Sequence, residues 1–169
     1  MELLIIRHAI AFERDSRRWR EDSERPLSPA GIRRARKAAA GLKVITDPPD
    51  RLLTSPLLRA RQTAQILTEV AGWPQAELAA ELTPDKPPRA LFSVLSRGRT
   101  SGRVAVVGHQ PALGKLLAAC LLEDSGSLSI EMKKNAVACV SFQGAARPGH
   151  AALQWLATPR MLRALRNRR

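Results

Sequence analysis

The sequence contains no tyrosine, and its 169 residues include only three tryptophans and three phenylalanines. Proteins that bind single-stranded nucleic acid combine a basic groove with aromatic side chains on which the bases stack. This chain has too few aromatic residues to build such platforms. We therefore do not expect nucleic acid to be its main ligand.

Long apolar runs are also missing, since none approaches the roughly 20 residues that a membrane span needs. The first seven residues lack the basic region, the longer apolar region and the small-residue cleavage site of a secretory signal. We interpret them as a first core strand, and we expect a cytoplasmic protein that does not bind membranes. Cys120 and Cys139 both lie in apolar surroundings and form no CxxC motif, so we interpret them as reduced core thiols.

Acidic residues are scarce relative to basic ones, and the formal net charge is +13. This positive charge favours anionic partners, such as phosphorylated proteins or polyphosphate, although a basic face that only contacts solvent would give the same net charge. Part of it lies in a basic segment at about residues 160–169. The length of 169 residues predicts a single domain over residues 1–169, which we expect to act as a monomer.

Short apolar runs alternate with segments of helical periodicity. Strands are predicted at residues 3–6, 52–54 and 104–107, and a hairpin at residues 136–142 and 152–156. Two helices are predicted to start at Ser28-Pro29 and at Ser55-Pro56, where a serine can cap a helix with proline in its first turn. Two more are predicted to start after Pro111 and at Pro159. A short helix is predicted near residues 91–95 and ends at Gly98. Residues 75–88 are predicted to form a loop. This order predicts an α/β fold, a three-layer α/β/α sandwich with a mostly parallel mixed sheet.

Polar residues suited to phosphate chemistry follow three of the predicted strands. Arg7 and His8 follow the first strand, Arg59 comes shortly after the second, and His109 follows the third. Ligands of open α/β sheets bind at the carboxyl ends of the strands, so we expect these four side chains to meet at one edge.

Each residue type fits a role in phosphoryl transfer. Arginine presents rigid, always-charged donors to phosphate oxygens, and a neutral imidazole can attack phosphorus and carry the group covalently. A second imidazole can donate hydrogen bonds to the oxygens of the transferring group. Because neither a glycine-rich phosphate loop nor a carboxylate cluster for Mg²⁺ is visible, we expect no metal ion and no cofactor.

Five segments of the chain resemble, in the same order, the motifs of the histidine phosphatase (phosphoglycerate-mutase-like) superfamily. They are LIIRHA with Arg7 and His8, RPLSPAG from Arg25, SPLLRARQTA from Ser55, ELTP from Glu81 and VVGHQP with His109. The similarity spans about residues 1–160 and is greatest to the small SixA-type phosphohistidine phosphatases. It implies a phosphoglycerate-mutase-like fold and a metal-independent phosphatase.

Carried over residue by residue, the resemblance implies that His8 is the nucleophile. It implies that Arg7 and Arg59 bind the phosphoryl oxygens and that His109 completes the phosphate pocket. Arg61, two residues after Arg59, is expected to point elsewhere on its helix. Ala9 replaces the usual glycine, which would be costly only if that position required a positive φ.

Three further residues have an alternative role beside the assigned one. Glu81 is the candidate general acid, and its alternative role is to hold the phosphate-binding arginines. Arg25 is a candidate for binding substrate at the pocket mouth, the alternative being a surface ion pair. We interpret Asp22 as part of such a pair.

The leading hypothesis is a phosphatase that acts on protein phosphohistidine. An imidazole leaving group needs less help from an acid than an alkoxide does, and the short segment at residues 75–100 leaves room only for an open pocket. The first alternative is hydrolysis of a small phosphomonoester or phosphoanhydride. The second is a non-catalytic module that binds phosphorylated or polyanionic partners.

Overall fold

The computed structural model describes residues 1–96, 102–124, 126 and 128–166. In this part of the chain six strands form one mixed sheet, with the spatial order β3-β2-β4-β1-β5-β6. Strands β1 to β4 run parallel, β5 pairs antiparallel with β1, and β6 pairs antiparallel with β5. The strands are β1 (Glu2–Arg7), β2 (Arg51–Thr54), β3 (Ala76–Leu78), β4 (Arg103–Gly108), β5 (Val137–Phe142) and β6 (Ala151–Ala157).

Helices cover both faces of the sheet. They are α1 (Pro29–Ile45), α2 (Leu58–Ile66), α3 (Ala90–Ser96), α4 (Ala112–Leu121) and α5 (Pro159–Leu165). A π-helical turn at Leu67–Ala71 extends α2 and ends at Gly72, whose φ of 74° is accessible to glycine at little cost.

The alternation of strand side chains divides the core into two clusters. Leu4 and Ile6 of β1 point into the cluster formed with α1, α2 and α5. Leu3 and Ile5 point into the cluster on the other face, formed with α3 and α4. The three-layer arrangement and the mixed sheet agree with the sequence prediction.

Helix α1 illustrates how local sequence determines an element. Ser28 caps it by accepting a hydrogen bond from the Gly31 amide, and Pro29 occupies the first turn. The predicted apolar stripe of Ala35, Ala38, Ala39 and Leu42 is buried. The first strands, the hairpin and α5 also match their predicted positions.

Two local predictions were wrong. Helix α2 begins at Leu58 rather than at Ser55-Pro56, because the Ser55 side chain turns toward the sheet edge instead of capping the helix. The segment at residues 75–88 is not only loop, since β3 extends the sheet beside β2. The predicted helix end at Gly98 and the last three residues of the basic segment lie outside the described residues.

Candidate active site

The carboxyl ends of β1, β4 and β2 are tied together by backbone hydrogen bonds. The His8 amide donates to the Gly108 carbonyl at 3.0 Å, and the Ser55 amide donates to the Val107 carbonyl at 2.9 Å. The residues that follow the three strands therefore lie next to one another at one edge of the sheet.

His8 is 7% exposed, and its Nδ1 lies 2.7 Å from the Ala9 carbonyl oxygen. Because a carbonyl can only accept a hydrogen bond, Nδ1 carries the proton and the neutral ring has its lone pair on Nε2. Burial lowers the pKa of His8 to about 4, and the positive charges of Arg59, Arg7 and Lys134 act in the same direction. The imidazole is therefore neutral at physiological pH.

His109 lies beside His8, with ring centroids 5.0 Å apart and ring planes inclined by 53°. Its Nε2 is 2.8 Å from the Ser55 hydroxyl oxygen, whereas its Nδ1 is buried without a partner in the described structure. Burial lowers the pKa of His109 to about 3, and the neighbouring His8 contributes to the shift. A buried ring nitrogen without a partner is unfavourable unless a ligand supplies one.

Arg7 and Arg59 bring two guanidinium groups to the same place. Arg7 donates from Nη1 to the Met132 carbonyl at 2.6 Å, while its Nε is buried and unpaired within the described residues. Burial lowers the pKa of both arginines, yet a guanidinium group stays charged in proteins. Both charges act on His8, so the structure brings the four predicted residues together.

Asp22 holds Arg59 in place from the outer side. Arg59 donates from Nη1 to the Asp22 carbonyl at 2.8 Å, and its Nη2 lies 3.0 Å from the Asp22 carboxylate. The Arg59 Nε is buried, and the described residues provide no partner for it. The interpretation of Asp22 as a simple surface pair therefore missed its contact with Arg59, 37 residues away in the sequence.

Arg25 shares the same carboxylate. Its Nε donates to Asp22 at 2.8 Å, and its Nη1 donates to the Phe12 carbonyl at 2.7 Å. The hydrogen bond from Arg25 is the main reason why the pKa of Asp22 is lowered. Arg25 thus shares the Asp22 carboxylate with Arg59, and its charge reaches His109.

Ala9 is accommodated without strain. Asn135 is the one non-glycine residue with positive φ in the described chain, so Ala9 does not need the conformation that favours glycine. The Ala9 amide donates to the Thr63 hydroxyl at 3.0 Å, and that hydroxyl donates to the Arg59 carbonyl at 2.7 Å. This link between the His8 loop and α2 is a second contact that the sequence did not reveal.

The remaining candidates lie further out. Glu81 is half-buried in a short 3₁₀ turn after β3, lines a small cavity with Leu113 and Leu116, and forms no hydrogen bond or ion pair within the described residues. Arg61 is exposed, whereas Arg59 on the same helix is buried. Across residues 1–96, 102–124, 126 and 128–166, no three acidic, histidine or cysteine side chains group as a metal site. None of the helices in that same part has the length and apolar character that membrane crossing requires.

The sequence and the structure both have known relatives. The family model "Histidine phosphatase superfamily (branch 1)" matches residues 3–84. Phosphohistidine phosphatase SixA of Escherichia coli K12 is 34% identical over 122 residues, which cover 70% of this chain and 73% of that protein. The chain belongs to the histidine phosphatase superfamily.

Within the histidine phosphatases this chain is of the SixA type. A structure of the protein histidine phosphatase SixA complexed with tungstate superposes with a TM-score of 0.81 at 29% identity, covering 94% of this chain and 97% of that one. An uncharacterized protein of Picosynechococcus sp. strain PCC 7002 is 36% identical over 128 residues, covering 75% of this chain and 76% of that protein. The phosphoglycerate-mutase-like fold is confirmed, and this histidine phosphatase is a phosphatase enzyme.

Proposed function

We propose that this histidine phosphatase hydrolyses protein phosphohistidine through a covalent phosphohistidine on His8. One observation carries the proposal: His8 Nδ1 is fixed by the Ala9 carbonyl, which leaves the Nε2 lone pair available beside His109 and the two arginines. A neutral, buried imidazole with its orientation fixed in advance is suited to attack phosphorus.

The reaction has two steps. In the first, His8 Nε2 forms a bond to phosphorus while the bond between phosphorus and the substrate imidazole nitrogen breaks. The departing imidazole takes a proton from solvent. In the second, water attacks phosphorus, the bond to His8 breaks, and inorganic phosphate leaves with the neutral His8 regenerated.

The unpaired donors around His8 supply the stabilisation of charge. Arg7 Nε, Arg59 Nε and His109 Nδ1 are each buried without a partner in the described residues. Phosphoryl transfer is catalysed mainly by positioning and by neutralising charge on the phosphoryl oxygens, and charged guanidinium donors do both. We assign Arg7, Arg59 and His109 to these oxygens and Arg25 to the pocket mouth, and we expect no metal ion to take part.

Phosphohistidine is the substrate that this chemistry favours. Its leaving imidazole is far less basic than an alkoxide, so turnover depends little on an acid such as Glu81. The related SixA of Escherichia coli bears the name phosphohistidine phosphatase, and the similar SixA structure is complexed with tungstate, a tetrahedral oxyanion like phosphate. A single domain over residues 1–169, a monomeric state and a cytoplasmic location stay predictions.

The covalent step is tested by trapping. The protein is mixed with a peptide carrying [³²P]phosphohistidine, quenched in alkali and separated by electrophoresis. We expect protein-bound label that is stable to alkali and lost in acid, present in wild type and in the exposed-site variant His150→Ala, and absent in His8→Ala. Label retained by folded His8→Ala would contradict the proposal.

Substrate class needs a separate comparison. Rates on a phosphohistidine peptide, a phosphoserine peptide and a sugar phosphate are measured with and without EDTA. We expect the phosphohistidine peptide to turn over fastest and EDTA to have no effect. Fastest turnover of the sugar phosphate would favour the small-phosphomonoester alternative, and loss of activity in EDTA would overturn the metal-free mechanism.

A further inference from the structure

A second cationic feature lies next to the candidate active site. Arg34 of α1, Lys134 before β5 and Arg163 of α5 line a cavity of about 150 Å³, which we call the basic hollow. Ala9 and Ile10 line it as well, so part of its wall is the loop that follows His8.

The fold explains why these three cations meet. Helices α1 and α5 pack against each other, and α5 follows β6, whose carboxyl end lies at the same sheet edge as that of β1. Lys134 precedes β5, which starts at this edge because β5 runs antiparallel to β1. The hollow and the candidate active site therefore open at one edge of the sheet.

None of the three cations is neutralised within the described residues. Neither a hydrogen bond nor an ion pair involves their charged groups in this part of the chain. By contrast, Arg36, two residues after Arg34 on α1, is paired with Glu69 at 2.7 Å. The charge of Lys134 also reaches His8, where it contributes to the lowered pKa. An uncompensated cluster of this kind attracts a complementary partner and suppresses basic ones.

The exposure of the three cations favours a protein partner over a small anion. Arg34 is exposed, and Lys134 and Arg163 are half-buried, so their charged ends can follow a partner's surface. Enclosed, fully buried donors such as those around His8 would instead suit a single inorganic anion. The wall shared with the His8 loop places a partner here while its phosphohistidine is at His8.

We propose that the basic hollow binds an acidic segment next to the phosphohistidine of the protein substrate, and so selects substrates by their flanking charge. This inference rests on the proposed function. Carboxylates of the substrate pair with Arg34 and Arg163, while Lys134 lines the hollow beside the loop that follows His8. Electrostatic complementarity of this kind acts chiefly on the encounter rate and on specificity, and it weakens as salt screens the charges.

The test uses three synthetic peptides with one central phosphohistidine flanked by Glu, by Gln or by Lys residues. The value of kcat/KM is measured at low and high salt for wild type, for R34Q/R163Q and for the matched control R33Q/R160Q. The control removes one arginine from each of the same two helices, at exposed positions that do not line the hollow. Unphosphorylated Glu peptide and a short single-stranded RNA serve as competitors.

We expect wild type to prefer the Glu peptide and R34Q/R163Q to lose about tenfold on that peptide alone. The control should change less than about twofold, and the preference should shrink at high salt. Four results would overturn the inference while leaving the proposed function intact. They are an unchanged preference for the Glu peptide in R34Q/R163Q, an equal loss of kcat/KM in R33Q/R160Q, an equal loss of kcat/KM on all three peptides, and stronger inhibition by the RNA than by the unphosphorylated Glu peptide. If wild type hydrolyses none of the three peptides, the proposed function fails and the inference fails with it.

Discussion

The Ser55 hydroxyl lies 2.8 Å from His109 Nε2, and this contact joins the carboxyl end of β2 to that of β4. Ser55 is fully buried and His109 is 3% exposed, so water cannot take the place of either partner. If Ser55 donates to Nε2, then His109 Nδ1 carries the proton and is free to donate to a phosphoryl oxygen. Ser55 is thus a positioning residue for His109.

Replacing Ser55 by Ala should lower kcat by about 10- to 100-fold, because His109 loses the contact that sets its orientation. We expect KM to change less, since both arginines remain, and the free energy of unfolding to fall by about 1–2 kcal/mol. Steady-state kinetics and urea unfolding measure the two effects. The control is Ser141→Ala. Ser141 pairs with Glu2 at the amino end of β1, whereas the candidate active site lies at the carboxyl end of that strand. Wild-type kcat in folded Ser55→Ala would contradict the assigned role.

Activity should persist well below neutral pH. Protonation of His8 removes the Nε2 lone pair, and burial lowers its pKa to about 4. The neutral, reactive form therefore dominates above about pH 5, and kcat/KM should fall only as the pH approaches 4. NMR titration of the ring signals of His8 and His109 gives the pKa values directly. A pKa of His8 at the usual 6.5 would contradict the structure.

Loss of the Asp22 carboxylate should weaken the binding of the phosphoryl group by Arg59. Asp22→Ala removes the group that orients the Arg59 and Arg25 guanidinium groups, so we expect kcat/KM to fall about tenfold, mostly through KM. Asp22→Asn keeps an acceptor oxygen and should lose less. Asp15→Ala, which removes an exposed acid that accepts hydrogen bonds from the Arg17 and Arg18 amides, is the control. Higher activity in Asp22→Ala would show instead that the carboxylate competes with phosphate for Arg59.

Gly41 allows α1 and α5 to approach closely. A Cβ at this position would overlap the Leu162 carbonyl, which belongs to the backbone and cannot move without shifting α5. Gly41→Ala should therefore lower the free energy of unfolding by about 1–3 kcal/mol, although alanine favours helix by about 1 kcal/mol over glycine. Thermal unfolding measures the loss, with the exposed Lys43→Ala as the control on the same helix. Stabilisation of the protein by Gly41→Ala would contradict this packing.

Much of the fold could be predicted because it depends on local pattern. The buried runs of β1 and β4, the capped start of α1 at Ser28 and the end of the α2 segment at Gly72 follow from hydrophobic periodicity and from cap chemistry. Strand β3 was missed because it has only three residues, two of them exposed, and lacks a buried apolar run. The start of α2 was misplaced because Ser55 has a tertiary partner that local sequence does not contain.

The order of the predicted strands and helices was enough to place Arg7, His8 and His109 after buried parallel strands, because the strand ends that meet at one sheet edge can be inferred from that order. The amino-acid order alone did not reveal which nitrogen of His8 keeps its lone pair, that Asp22 holds Arg59, or that Arg34, Lys134 and Arg163 surround one hollow. These relationships depend on the packing distance and rotation of elements far apart in the chain. Hydrophobic periodicity says which face of a helix is buried but not which side chain of another element it will meet.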